Sequence, residues 1–362
     1  MLHTTTSSLG GRTVPWPHLV QNASLHQWTT EPNPIMRFLI ETAAASRRHA
    51  ARCFGSGAME AISLQGVRGV LRLQGSPVYH FLQALLTNDI TPLEAPDAKP
   101  LYACLLSAQG RHLHDMIIHK MPDEEACLLL DVHADSLPDL SRLLKRYRLR
   151  QKVDIADLSG EVSVWAATEH GAAPCPSAHL AWGPDPRLPA LGARGLGAWG
   201  EASASEQARF ARHRMPLGVA EGDAEIPHGH AMPLEYNLDA LRGVAYDKGC
   251  YVGQELVART HYKGVIRKRL MPVRFGVGGE GGAEVAAGRE IAAGGAGSGG
   301  RAAGVVRAVE GEAGLALLRL DAALAVARGA APPLALRPEG GAGQEVLPSV
   351  PDWWPRDWTE GS

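Results

Sequence analysis

From Ile62 onward the apolar residues recur in short runs at period two, punctuated by glycine and proline, with two stretches of helical spacing set among them. Ile62 to Leu73 reads as a strand pair in which Val70-Leu71-Arg72-Leu73 alternates. Ser76-Pro77 opens a helix carrying Phe81, Leu82, Leu85 and Leu86, since proline is tolerated in a first turn. Leu101 to Leu106 and Leu113 to Ile118 form a hairpin across Ala108-Gln109-Gly110-Arg111, and Cys127 to Val132 is a further strand. Ser136 to Tyr147 is a helix whose basic residues gather at its C-terminal end, where the macrodipole favours them. No βαβ repeat emerges, no G-x-G-x-x-G follows a strand, and there is no Walker loop. The class is therefore α+β, and nucleotide folds are disfavoured.

Residues 171 to 200, rich in Gly, Pro and Ala, read as a long surface loop. After about Leu270 the character changes: twelve of the 41 glycines fall between Gly276 and Gly304, among apolar runs such as Leu315-Ala-Leu-Leu-Arg-Leu. Short strands broken by glycine predict a small β-barrel or sandwich. Pro351-Asp-Trp-Trp-Pro355 and Trp358 read as an aromatic anchor packed into a groove.

With 362 residues the chain has room for two or three domains, and no apolar stretch reaches the ~20 residues of a membrane-spanning helix. A formal charge of −2 argues against a nucleic-acid coat protein. The five cysteines, at 53, 104, 127, 175 and 250, include no C-x-x-C pair. That fits a reducing compartment and provides neither a zinc site nor a ferredoxin loop, so any cluster must borrow ligands. Residues 1–57 hold two acidic residues, Glu31 and Glu41, with Ser/Thr at 4–8 and arginines at 47, 48 and 52, the composition of an organelle transit segment.

The richest chemistry lies in Asp247-Lys-Gly-Cys-Tyr-Val-Gly-Gln-Glu255. Gly249 and Gly253 allow sharp turns on both sides of Cys250 and leave its thiol uncrowded. Between 248 and 269 stand six basic residues (Lys248, Arg259, Lys263, Arg267, Lys268, Arg269) and one acid, Glu255. Such a field favours the thiolate, the form that attacks electrophiles or binds soft metals. The alternative is a cysteine in a glycine turn beside a solvated basic stretch.

Pro233-Leu-Glu-Tyr-Asn237 followed by Lys248-Gly-Cys-Tyr-Val-Gly-Gln-Glu255 resembles the signature of the folate-binding YgfZ/GcvT-like proteins, relatives of the aminomethyltransferase (T-protein) of the glycine cleavage system. The continuation Leu256 to Leu270 and the Pro-Asp-Trp-Trp-Pro ending are similar to the mitochondrial branch, assembly factors for late-stage [4Fe–4S] proteins. Further likeness lies in Leu85-Leu-Thr-Asn-Asp89, Gly110 through Asp115-Met-Ile-Ile, and Tyr147 to Val153, so that it spans about Ala58 to Pro355. The resemblance implies a three-lobed ring, two α+β lobes around a central folate-type channel with a C-terminal β-barrel. The expected division is a transit-like segment at 1–57, an aminomethyltransferase-like domain at 58–266, the barrel at 267–355 and a tail at 356–362. It also implies tetrahydrofolate as a ligand, an A-type iron–sulfur carrier as partner, a chain monomeric on its own, and residence in the mitochondrial matrix, with the plastid stroma as the alternative. A cluster takes about four thiolates. With one well-presented cysteine, Cys250 acts as a shared [2Fe–2S] ligand, the others coming from the partner.

By the same resemblance Asp115 matches the T-protein's catalytic aspartate, Asn88 lies at the channel mouth, and Glu235 and Asn237 belong to the signature and hold the loop before Cys250. Lys248, Gly249, Tyr251, Gly253, Gln254 and Glu255 support the cysteine. Arg150, with Arg148 and Lys152, is a candidate for the glutamate tail of a folate or for an acidic partner face, against the alternative of a solvated helix end. His112 and His114 share one face of a strand with Asp115 on the other, so these three cannot bind one ion, and His228-Gly-His230 has no third ligand nearby in sequence. Where the T-protein binds the pterin through a glutamate in Arg-x-Glu-Ala-Gly, this chain has Ala211-Arg-His-Arg-Met-Pro216 with no carboxylate. A lost charged hydrogen bond is worth about 1.5–3 kcal/mol. The expectation is therefore an assembly factor, with a folate-dependent one-carbon enzyme using Asp115 as the alternative. RNA binding through 259–269 is disfavoured by the lack of aromatic interleaving.

Overall fold

The computed structural model describes residues 61–121, 124–168, 179–276, 285–294, 300–337 and 344–360. The transit-like segment, residues 1–57, lies outside the described residues.

In the first half, β1 (Ile62–Ser63) and β2 (Arg68–Gln74) precede the short helix α1 (Val78–Gln83). The hairpin β3 (Leu101–Leu106) and β4 (His112–Lys120) turns at Gly110, whose φ is +77°. Then come β5 (Cys127–His133), α2 (Leu137–Arg148) and β6 (Asp154–Asp157). An antiparallel five-stranded sheet runs in the order β3-β4-β5-β2-β6. The apolar faces of α1 and α2 (Phe81, Leu82, Leu140, Leu144) pack on it, the helical spacing meeting the period-two face.

A second sheet contains β7 (Val162–Ala167), β8 (His179–Pro184) and β9 (Ala193–Ala198) in the order β1-β7-β9-β8, followed by α3 (Ala204–Arg214). Two sequence expectations change here. Ile62 to Leu73 does supply two strands, but they join different sheets, since the chain turns at Gly66 (φ +84°). Of residues 171–200, expected as a surface loop, 171–178 lie outside the described residues and 179–200 hold two of the four strands of this second sheet. Gly195 of β9 marks close approach of backbones rather than a loop: a Cβ on it would lie 2.1 Å from the Ala181 carbonyl oxygen.

The linking segment continues through α4 (Gln254–Lys263) into a closed barrel. Its strands are β10 (Lys268–Phe275), β11 (Glu290–Ala292), β12 (Ala302–Glu310), β13 (Ala313–Arg319), β14 (Leu334–Leu336) and β15 (Glu345–Pro348), ordered β10-β13-β12-β11-β14-β15, with α5 (Leu320–Ala327) between β13 and β14. Closure removes the exposed strand edges that such short strands would otherwise present. After β15, Trp353 Nε1 donates to the Leu217 carbonyl at 2.8 Å, and Trp354 is buried edge-on to Trp358, which lies on α6 (Asp357–Glu360). The aromatic ending thus anchors the barrel against the segment that follows α3.

Candidate functional site

The loop carrying Cys250 is fastened from both sides to the chain that leaves α1. Ala245 N donates to the Thr87 carbonyl at 3.0 Å and Val252 N to the Ala84 carbonyl at 3.2 Å. Between them Lys248 turns inward, its Nζ donating to the carbonyls of Gln83, Leu86 and Asn88 at 2.8, 2.8 and 2.7 Å. A cation at a helix C-terminus satisfies carbonyls that the helix leaves unpaired. Burial pushes this ammonium down to about 8, with the nearby Asp89 carboxylate opposing the shift. Lys248 also sits over the ring of the buried Tyr251, 5.2 Å from its centroid.

Gly253 starts α4 with φ +82°, and a Cβ there would come 2.4 Å from the Ser107 carbonyl oxygen. Gly110 in the β3–β4 turn is its counterpart, since a Cβ on it would lie 2.6 Å from Leu256 Cβ and 2.8 Å from the Gly253 oxygen. Hairpin and helix therefore meet glycine on glycine. Gly249 differs from its expected role: it has no positive φ, and open space surrounds the place of its Cβ. Its contribution is an unobstructed flank for Cys250, which is exposed.

Cys250 thus lies at the edge of an open groove of about 670 Å³ lined by Ala108, Tyr251, Gly253, Gln254, Glu255 and the outward residues of α4, Ala258, Arg259, Tyr262 and Lys263. Tyr262 is 67 % exposed and Val265 77 % exposed. His261 stacks on Tyr246 at 3.7 Å between centroids, with Tyr262 edge-on to His261. Glu255 pairs with Arg259 only across solvent, at 3.7 Å, an interaction worth little. Arg269, counted in the basic run, is buried and donates to the Leu234 carbonyl at 2.7 Å and to Asn237 Oδ1 at 3.2 Å. Arg259, Lys263, Arg267 and Lys268 remain outward. The groove beside the thiol is basic and partly aromatic, lined by Arg259, Lys263, Tyr251 and Tyr262.

The five residues linked to a folate channel make different contacts. Asn88 bridges the carbonyls of Tyr102 and Arg242, both at 2.7 Å. Asn237, buried at φ +63°, donates to the Leu270 carbonyl at 2.8 Å and so ties the signature turn to β10. Glu235 is half-buried, and desolvation raises its carboxyl above the ordinary range despite Lys268, Arg111 and Arg307. Arg150 lies in an exposed depression beside Leu149 and Gln151, beyond the end of α2. Asp115 is buried, accepts from Gly222 N at 2.9 Å and stands 3.7 Å from Arg68.

Around Asp115 the interior is filled by an ionic network that the sequence did not reveal. Asp131 accepts from Arg68 Nε at 2.6 Å and from Arg194 Nε at 2.7 Å. Glu221 pairs with Arg194 at 3.3 Å and with Arg187 at 2.6 Å, and Asp185 holds Arg187 at 2.7 Å. Arg214 and Glu225 close the chain of pairs. Burial alone would raise the carboxyls of Asp131 and Glu221, but Arg194 with Arg68 on the first, and Arg194 with Arg187 on the second, hold both below the carboxylate range. A pterin needs a free carboxylate facing an open space. Here Asp115 is buried, its Oδ1 accepting from Gly222 N while Oδ2, 3.7 Å from Arg68, has no hydrogen-bond partner among the described residues; Asn88 and Asn237 hold backbone carbonyls, and Arg150 is exposed beyond α2. No chemical step is routed through a pterin.

Residues 267–356 match the family described as the CAF17 C-terminal β-barrel domain. The human iron–sulfur cluster assembly factor IBA57, mitochondrial, is 34 % identical over 355 residues, covering 89 % of this chain and 94 % of that protein. The Mycosarcoma maydis homologue is 38 % identical over 223 residues, covering 58 % of this chain and 55 % of that protein's length. The glycine cleavage system aminomethyltransferase T from Bartonella henselae superposes with a TM-score of 0.58 at 12 % identity, covering 86 % of this chain and 89 % of that one. At such identity the likeness establishes the fold: two aminomethyltransferase-like lobes and a barrel. With the human relative aligned over nearly all of both chains, the chain belongs to the family of the mitochondrial iron–sulfur cluster assembly factor IBA57.

Proposed function

We propose that this chain is a mitochondrial assembly factor for iron–sulfur proteins of the [4Fe–4S] type, and that it works by sharing a [2Fe–2S] cluster with an A-type carrier through Cys250. The observation that carries this reading is the thiol itself, exposed at the edge of a groove and held by the turn that Lys248 fastens and Gly253 begins. Four thiolates hold an ordinary cluster. A single presented cysteine fits a cluster whose remaining ligands arrive on another protein. Tyr262 supplies apolar contact area beside it, while Arg259 and Lys263, which line the same groove, steer an acidic face toward the thiol. The cluster is cargo in this reading, and the protein's part is to present one ligand and exclude competing geometries. Tetrahydrofolate has no step in it.

The test is anaerobic visible absorption and circular dichroism of the chain mixed with an A-type carrier loaded with [2Fe–2S]. A new cluster spectrum with a co-eluting complex, both lost in Cys250→Ser, is the expected result. An unchanged spectrum without a complex overturns cluster sharing. A parallel titration with tetrahydrofolate separates the alternative: saturable binding abolished by Asp115→Asn would restore the folate reading of the interior.

A further inference from the structure

We propose that His114, Asp223 and His228 form a binding site for one divalent transition-metal ion of the zinc or ferrous kind, separate from Cys250. The three residues come from two segments that the fold zips together. His112 N donates to the Ala231 carbonyl at 2.9 Å and Gly229 N to the His112 carbonyl at 2.7 Å, laying the 227–231 turn along the start of β4. That sets His228 against His114, with ring centroids 4.9 Å apart. Asp223 reaches the same point because Gly222 adopts φ +74° against His133, where a Cβ would meet the ring at 2.4 Å.

The spacing is that of ligands around an ion rather than of hydrogen bonds. His114 Nδ1 and His228 Nδ1 each lie 3.6 Å from Asp223 Oδ2, and one donor atom from each residue lies within 4.8 Å of the others. A hydrogen bond requires an approach to about 3.2 Å or less. Donors on a tetrahedral ion with bonds of about 2.0–2.1 Å stand about 3.4 Å apart.

The outer contacts also suit a metal. His114 is 99 % buried by its 1 % side-chain exposure, and its Nε2 faces Asp139 Oδ2 at 3.1 Å, an aspartate that Arg142 also holds. With the ring proton on Nε2, the lone pair of Nδ1 points into the cluster, and Nδ1 has no hydrogen-bond partner within the described protein. A carboxylate behind a ligating imidazole is the usual means of fixing its tautomer. Asp223 is oriented by Ser136 Oγ, which donates to Oδ2 at 2.8 Å, while its buried Oδ1 has no partner among the described residues. His228 is the exposed member, at 41 %, and its Nδ1 meets the Leu113 carbonyl at 2.9 Å, a bond that it exchanges for the ion. Two imidazoles and one carboxylate select borderline divalent ions over magnesium or calcium and leave coordination positions for water. The half-exposed edge formed by Asp223 and His228 provides the entry.

The test uses the full chain carrying Cys250→Ser, so that the exposed thiol does not compete. Zn2+, and Fe2+ under anaerobic conditions, are titrated against a chromophoric chelator, and Co2+ serves as a spectroscopic probe of the site. One equivalent of Zn2+ or Fe2+ is expected to bind, with at least about a 100-fold loss of affinity in both His228→Ala and Asp223→Asn. Asp139→Asn, which touches no ion, is expected to weaken binding about 10–100-fold by releasing the ring of His114. His261→Ala, beside the Cys250 groove, leaves the affinity unchanged. Since His228 and Asp223 are partly exposed, unchanged melting of the metal-free variants separates lost ligation from lost folding. Absence of a saturable equivalent for either ion, or equal affinity in the parent, His228→Ala and Asp223→Asn proteins, overturns the site.

Discussion

Arg68 and Lys248 are both cations whose work depends on where they point. Arg68 lies on β2, in a run read only as alternating apolar residues, and it shares Asp131 with Arg194 in a fully buried pair. Removing the shared anion takes the shortest carboxylate contact from two buried guanidinium groups and leaves Arg68 with Asp115 at 3.7 Å and Arg194 with Glu221 at 3.3 Å, so Asp131→Ala is expected to destabilise the fold by about 3–5 kcal/mol in chemical denaturation. Lys248→Met deprives three carbonyls of their common donor. It is expected to lower stability by about 1–3 kcal/mol and to weaken the shared-cluster spectrum while Cys250 remains present. The sequence counted Lys248 and Arg269 in a basic field around the thiol. In the fold both turn inward, because a charge count carries no direction and a long side chain reaches either way from the same backbone.

At the level of elements, the turn into α4 depends on one glycine more than the other. Gly253→Ala places a side chain at φ +82° against the Ser107 carbonyl, whereas Gly249→Ala meets open space. The first is expected to lower the denaturation midpoint by the equivalent of about 1–3 kcal/mol or more, and the second to stay within about 0.5 kcal/mol. At the start of α3, Ser203 and Glu206 form a reciprocal capping box, and Ser203→Ala is expected to cost about 1 kcal/mol. Most elements were legible locally. The β3–β4 hairpin, β5 and α2 follow directly from periodicity, while glycine among short apolar runs indicated the barrel. The strands β8 and β9 were not legible, since the small residues that allow their backbones to pack closely are also those of a loop.

For the whole molecule, the buried ionic network couples stability to pH. His119 is buried beside it on β4, and burial pushes its imidazole down to about 4, against the pull of Asp131. In the unfolded chain a histidine titrates near 6.5. Between those values the unfolded state binds the extra proton, so the stabilisation present above pH 6.5 is lost as the pH falls toward 4, at up to about 1.4 kcal/mol per pH unit. Asp131 and Glu221, held low by their arginines, act with the same sign: they stabilise above the ordinary carboxylate range and lose that contribution on further acidification. The melting temperature is therefore expected to drop from pH 7 to pH 5, and His119→Gln to flatten that limb.

By itself the sequence determined the α+β class, the barrel and the Cys250 signature, because turns, periodicity and a contiguous motif are local properties of neighbouring residues. Only the tertiary structure decided that Asp115 stands against Arg68 at the edge of an arginine network, that Asn88 and Asn237 hold backbone carbonyls, and that His114 meets Asp223 and His228. His228-Gly-His230 has no third ligand close in sequence, and the contact from His228 to Leu113, beside His114, spans 115 positions. Such pairings depend on sheet register and on a left-handed glycine at 222, which act through packing across the fold and leave no period in the chain.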